Sequence, residues 1–252
     1  MKKFFAICLT LAMLLGMLPM AVSAAEEATP ISSVDEITDL TASYVLTQDI
    51  TVSAPIGAFS GSFDGDGHTV TINITATTSN AGMFTTIASG AEVKNFKIAN
   101  STVTNSSYEY TGLVAGTNNG IVSNIVAENS TVNGYTTVGG IVGKNTGTVT
   151  NCAFESGTVK KGASTDTGFG GIVGENNGTV TLCSNNAILD HSAARSNYDY
   201  TGGIVGRNQY SGSVTHCFNS GALTDGANKS YYIVLNNLHG VYFELPHQLF
   251  YR

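Results

Sequence analysis

The chain has 252 residues, 11 Lys+Arg against 18 Asp+Glu, a net charge of −7, and only 12% charged residues. With no basic patch to hold a phosphate backbone, nucleic acid is excluded as a partner. The length fits one domain with an elongated core and a surface of Asn, Ser, Thr and Gly.

Residues 1–24 read as an export signal. Lys2 and Lys3 form the charged region, Phe4 to Leu18 the apolar one, and Ala21-Val22-Ser23-Ala24 the small-residue cleavage site. The apolar run is too short for a permanent anchor. Cleavage is expected after Ala24 or a neighbour, giving a secreted protein with no membrane contact. Loss of Lys2 and Lys3 leaves the mature chain with a larger acidic excess than the full sequence.

Residues 25–43 are expected to form an N-terminal segment and cap. Ser33-Val34-Asp35-Glu36 reads as a capping box, with Ser33 as N-cap. A short helix through about Leu40 would cover the first open sheet edge, which would otherwise invite aggregation.

From 44 to 225 the chain repeats. Gly-Leu-Val-Ala-Gly ends at Gly116, and Gly-Ile-Val-Gly ends at Gly143, Gly174 and Gly206. The steps between these end points are uneven but all fall in the range of a solenoid period. A second block follows each phrase, as in Lys144-Asn145-Thr146-Gly147-Thr148-Val149-Thr150-Asn151-Cys152. A third piece, such as Gly157-Thr158-Val159 or Gly221-Ala222-Leu223, closes the unit. Val, Ile and Thr suit half-buried strands, and Gly and Asn suit the corners between them. No helical period is evident from 50 to 225. Such short strands bury nothing alone, but stacked in parallel they form one continuous core. The expected fold is all-β: a right-handed parallel β-helix, or solenoid, with about six or seven turns, a short N-terminal helical cap and a length of ~30 Å. Weaker turns precede the phrase, at Gly82-Met83-Phe84 and at Phe59 to Val70.

The segment GGIVGKNTGTVTNC is very similar to the GLUG motif, and YVLTQDITVSAPIG with the FSGSFDGDGHTVTI and AGMF that follow resembles the turns that often precede it. The resemblance covers about residues 44 to 223. It implies a right-handed β-helix on a secreted, adhesin-like bacterial surface protein. Some immunoglobulin-A-cleaving metallopeptidases carry these repeats beside a zinc domain, but no His-Glu-x-x-His occurs here, so that chemistry does not carry over. The chain departs from the pattern at Ala115, and at Leu182, which stands where Asn124 and Asn151 do.

Two sets of residues recur as structural ladders. Cys152, Cys183 and Cys217 hold equivalent places in successive repeats, too far apart in sequence for the paired spacing of a zinc site. They read as a column of packed thiols or, alternatively, as a disulfide between two neighbours. Asn118, Asn145, Asn176 and Asn208 each fall two residues after the second Gly and suit amide hydrogen bonds from turn to turn. Asp64 and Asp66 lie in Phe-Asp-Gly-Asp-Gly and read as turn chemistry rather than as catalytic or calcium carboxylates. The five His share no ligand spacing, and no nucleophile elbow or phosphate loop is present. No catalytic residue, metal or cofactor is assigned.

The candidate binding constellation is a set of loop tyrosines. Tyr108 and Tyr110 precede Gly116 by eight and six residues, Tyr198 and Tyr200 precede Gly206 by the same offsets, and Tyr135 precedes Gly143 by eight. Glu109 and Asp199 lie between the paired tyrosines. Exposed rings beside carboxylates suit sugar binding, with flat faces for stacking and acceptors for hydroxyls. The alternative is that these rings pack on each other or on the wall. The turn ending at Gly174 breaks the stripe, with Asp166 and Gly168 at those offsets.

Residues 226–252 are atypical, aromatic-rich after the repeat stops at Leu223. They read as a C-terminal cap or, preferred here, as a non-native tail from a truncated or frame-shifted gene. No Leu-Pro-x-Thr-Gly sorting signal follows, so a complete chain is expected to be released. The functional expectation is a secreted, non-catalytic repeat module with an adhesive or structural role at the bacterial cell surface, its partner a glycan or protein of the host or cell surface. The rival is a polysaccharide-active enzyme, a lyase or glycoside hydrolase, which needs two placed carboxylates. Between 110 and 190 only Glu128, Glu155, Asp166, Glu175 and Asp190 are acidic, with no close pair in sequence.

Overall fold

The structure, a computed structural model, describes residues 27–162, 168–192 and 200–224. The signal segment, the C-terminal tail, Asp166, Tyr198 and Asp199 lie outside the described residues. Within them the chain is an all-β parallel solenoid, and every strand pairing is parallel.

Each turn starts on a glycine wall of six stacked strands: Ala58–Phe59, Phe84–Ile87, Ala115–Asn118, Val142–Asn145, Val173–Asn176 and Val205–Asn208. After a corner comes a valine wall, represented by Glu92–Ala99, Ile121–Glu128 and Thr148–Phe154. A second corner leads to a third wall, including Thr102–Thr104, Ser130–Gly134, Gly157–Lys161 and Ile188–Asp190. A loop then leads to a short fourth run, Val138–Gly139, Gly168–Gly170 or Tyr200–Gly202, and back to the glycine wall.

Six strands on the glycine wall bound five complete turns, fewer than the six or seven expected from sequence. The difference lies at the N-terminal end. Tyr44 stacks on Phe63, and Phe63 in turn stacks on Val93. The step from Tyr44 to Phe63 is much the shorter of the two, too short to include every wall, so the first coils are partial. The expected N-terminal helix is also replaced. Only a 3-10 turn forms, Val34–Glu36. Ser33 Oγ accepts from Asp35 N as foreseen, but Glu36 Oε1 takes Ser32 N and Ser32 Oγ, each at 2.9 Å. Asp39 Oδ1 then accepts Thr41 N at 2.8 Å, a local turn that competes with continued helix. Val34, Ile37 and Leu40 still pack against the core. The outermost strand, Thr29–Ile31, pairs with Ser43–Leu46 and carries Pro30, whose missing N–H suits an edge.

Inside, the register builds columns. Val93, Val122, Val149, Val180 and Val214 stack on one wall; Phe84, Ala115, Val142, Val173 and Val205 stack on another. The lower rungs are filled by Phe59, Phe63, Phe84 and Phe96, with ring centroids 4.9 to 5.8 Å apart. The recurring Gly-Gly is steric in origin. A Cβ on Gly139 would stand 2.0 Å from Val142 O, and one on Gly140 would stand 2.1 Å from Gly171 O. The chain doubles back there, against itself and against the next rung, and only hydrogen fits.

Candidate functional site

The Asn ladder is the polar spine of the glycine wall. Asn118 Nδ2 donates to Asn145 Oδ1, Asn145 Nδ2 to Asn176 Oδ1, and Asn176 Nδ2 to Asn208 Oδ1, all at 2.8 Å. The Nδ2 groups of these three residues and of Asn208 donate to the Gly120, Gly147, Gly178 and Gly212 carbonyls two to four residues on, which closes each corner. Asn118, Asn145 and Asn176 are fully buried, so this pairing is what makes their burial tolerable. A second inner pair was not foreseen: Asn185 Nδ2 donates to Asn219 Oδ1 at 2.8 Å and to Ala187 O. The signal for it was present, since Asn185-Asn186-Ala187 and Asn219-Ser220-Gly221 share the Asn-x-small spacing of Asn118-Asn119-Gly120.

An outer ladder runs along the bend of the valine wall. Asn124 Nδ2 donates to Asn95 Oδ1 and Asn151 Nδ2 to Asn124 Oδ1, each at 2.8 Å. These residues have φ of 60, 55 and 50, the left-handed region that Asn tolerates. Leu182 takes the next place with φ 55, and His216 the one after with φ 53. Asp64 belongs to the same corner: its carboxylate accepts Asp66 N and Asn95 Nδ2, so turn chemistry accounts for it.

Cys152, Cys183 and Cys217 are buried free thiols. Each Sγ donates to the carbonyl two residues back, at 3.3, 3.2 and 3.2 Å. The hydrogen bond with the neighbouring Cys152 thiol, with burial added, pushes Cys183 up to about 12. Cys217 is raised in the same way by Cys183 and then by burial. Groups held protonated like this are poor nucleophiles.

The tyrosine loops join the third wall to the short fourth run. Tyr108 and Tyr135 are 42% and 36% exposed, so their rings face solvent rather than the wall. Glu109 is exposed between Tyr108 and Tyr110. Tyr110 has φ 58, a conformation that costs a non-glycine residue roughly 1–2 kcal/mol. Its ring lies under Lys144 Nζ at 5.1 Å, and Tyr200 lies under Arg207 Cζ at the same distance. The register Lys144–Glu175–Arg207 places those cations in one outward column, with Lys144 Nζ 3.9 Å from Glu175 Oε1. The expected stripe is thus divided. Tyr110 and Tyr200 are clasped by cations of the glycine wall, while Tyr108 and Tyr135 remain open. The division follows the sequence offsets, six residues before the second Gly for the clasped pair and eight for the open pair, but the cations that cause it come from the glycine wall and were not read from those offsets. Tyr210, in the insertion after Asn208, is the most exposed aromatic among the described residues and was not singled out from sequence.

Beneath these loops runs a buried polar seam. Asn105 donates its N–H to Asn133 O, and Gly134 pairs with Lys161, so Asn105, Gly134 and Lys161 hold successive places. Asn105 and Lys161 are fully buried, and His191 one rung further is stacked on Phe169 at 5.5 Å. Lys160 and Lys161 reveal nothing of this in sequence, where they look like a solvated charge pair.

The repeating geometry is now defined: a Gly-x-Val-Gly strand, an Asn-x-Gly corner and a valine strand. The GLUG motif matches residues 134–160 and 197–224. The chain carries GLUG repeats. The same register passes through the rungs of Ala115 and Val173, so the GLUG geometry extends along the glycine wall. No curated protein and no solved structure matches the chain.

Proposed function

We propose that this chain is a secreted, non-catalytic solenoid module with an adhesive or structural role at the bacterial cell surface, its tyrosine loops supplying contacts to a surface glycan. The Met1–Ala24 leader directs export, and the coil is right-handed, as parallel crossovers are. The observation that carries the reading is the contrast between wall and loop. The walls are committed to ladders and close backbone contacts, whereas Tyr108 and Tyr135 expose flat rings on adjoining loops. Aromatic faces beside hydroxyl and amide groups are the usual means of holding a sugar. Two of the acidic residues support the non-catalytic reading, since Glu175 faces Lys144 and Asp190 faces Lys160.

A glycan-array screen of the mature protein, repeated with Tyr108→Ala and Tyr135→Ala, tests this. Binding that disappears in the variants, with thermal stability retained, is the expected result. Binding unchanged by both substitutions, or no binding to any glycan, sinks it.

A further inference from the structure

The loops border a hollow of about 480 Å³ whose lining includes Asn105, Ser106, Asn133, Tyr135, Lys160 and Lys161. Among the described residues that lining holds no carboxylate, and the Lys160 side chain is about half exposed there, in a chain of net charge −7. One wall is the exposed Tyr135 ring, beside Gly162. The floor is the polar seam. Asn105 is fully buried; its Oδ1 accepts Tyr108 N at 3.1 Å, but its Nδ2 has no hydrogen-bond partner among the described residues. An unpaired buried donor is costly, so the site favours an occupant that brings an acceptor.

We propose that this hollow binds a carboxylate-bearing sugar, a uronic acid residue of an acidic glycan. This rests on the glycan reading above and adds the charge of the ligand. The Tyr135 ring takes the apolar face of the pyranose. Lys160 takes the carboxylate, and the amides of Asn105 and Asn133 take ring and hydroxyl oxygens. Lysine acts here as a point charge, which suits a carboxylate without demanding one geometry.

Asp190 sets a threshold on that interaction. Its carboxylate lies 3.4 Å from Lys160 Nζ. Burial opposes its ionisation, but Ser192's hydrogen bonds and the Lys160 charge outweigh this and hold Asp190 below the ordinary carboxylate range. A ligand carboxylate must therefore share Lys160 with an ionised neighbour. Removing that competitor tightens an acidic ligand and leaves a neutral one unaffected.

The test is calorimetric titration of the mature protein with oligogalacturonate, with the neutral galactose oligomer of equal length, and with acetate. The expected result is binding of the acidic oligomer at least tenfold tighter than of the neutral one, no measurable binding of acetate, loss of binding in Tyr135→Ala and Lys160→Ala, and a gain in Asp190→Asn. Thermal melts of each variant separate binding loss from unfolding, and the Asp190→Asn gain stands even where another variant is unstable. Equal binding of both oligomers overturns the charge assignment while leaving the glycan reading intact. Acetate binding as tightly as oligogalacturonate overturns the sugar, and no binding of either oligomer overturns both. Acidic binding that Lys160→Ala and Asp190→Asn leave unchanged moves the site elsewhere and overturns the proposal.

Discussion

Asn145 Nδ2 donates to Asn176 Oδ1 at 2.8 Å, across one full turn of the coil. Every rung of this ladder points the same way, donor below and acceptor above. The ladder therefore has a polarity that a substitution can reverse locally.

Asn145→Ala removes one acceptor from Asn118 and one donor from Asn176, and is expected to cost about 2 kcal/mol. Asn145→Asp is expected to cost more, roughly 3 kcal/mol or above, although it keeps the shape. Its carboxylate still accepts from Asn118 but confronts Asn176 Oδ1 and Gly147 O. Thermal melts of the two variants decide this, and an aspartate variant as stable as the wild type contradicts the directed ladder.

Leu182 is an exposed leucine in a left-handed corner that Asn95, Asn124 and Asn151 also occupy. Leu182→Asn relieves the backbone and offers a donor to Asn151 Oδ1. A gain of about 1 kcal/mol follows, or a melting point raised by ~2–4 °C. Leu182→Ala, which keeps a Cβ and adds no amide, serves as the comparison. A lower melting point for Leu182→Asn than for Leu182→Ala rules the explanation out.

The corner also shows what was legible in sequence. Gly and Asn between the β-rich runs announced corners, and the Gly-x-Val-Gly phrase announced a wall, because both are local requirements repeated at each turn; that Asn95, Asn124 and Asn151 form an outer ladder was not read from sequence. The Asn118–Asn208 ladder followed from the same spacing. The N-terminal helix did not, because Asp39's turn with Thr41 and the packing of Ile37 and Leu40 on the coil override a capping box. Tyr110, six residues before Gly116, and Tyr135, eight before Gly143, were grouped in one stripe from sequence. Their fates differ because Lys144 lies over one ring and the rim of a hollow holds the other. Lys161 was illegible for the same reason: its burial is a property of the stack.

Gly140 faces Gly171 O so closely that a methyl group would sit 2.1 Å from it. Gly140→Ala is expected to cost on the order of 3 kcal/mol, since backbone rather than a flexible side chain must yield. Gly67, whose Cβ would meet nothing within 4 Å but whose φ is +80, should cost less, about 1–2 kcal/mol, on substitution by Ala. Comparing the two by denaturant melts distinguishes contact from backbone conformation. Equal losses contradict the steric account of the Gly-Gly pair.

The thiol column sets a pH dependence. Cys183 is raised from 9.0 to about 12 in the folded state. Its contribution is fully present below pH 9, where both states keep the proton. Above that, the unfolded chain ionises first, and stability falls by up to about 1.4 kcal/mol per pH unit for this group until the folded thiol ionises as well. Melting points should decline from pH 9 towards pH 12, with a shallower decline in Cys183→Ala. The same slope in both proteins removes Cys183 as the cause.

The central claim is that the GLUG stack is scaffold and the loops entering the glycine wall carry recognition. Its most direct test is to measure glycan binding for two sets of substitutions matched in melting point. One set lies in the loops, Tyr108→Ala and Tyr135→Ala; the other lies on the outward face of the glycine wall, Thr86→Ala and Thr117→Ala. The account predicts that the loop set loses binding and the wall set keeps it. Binding lost from the wall set and kept by the loop set contradicts it.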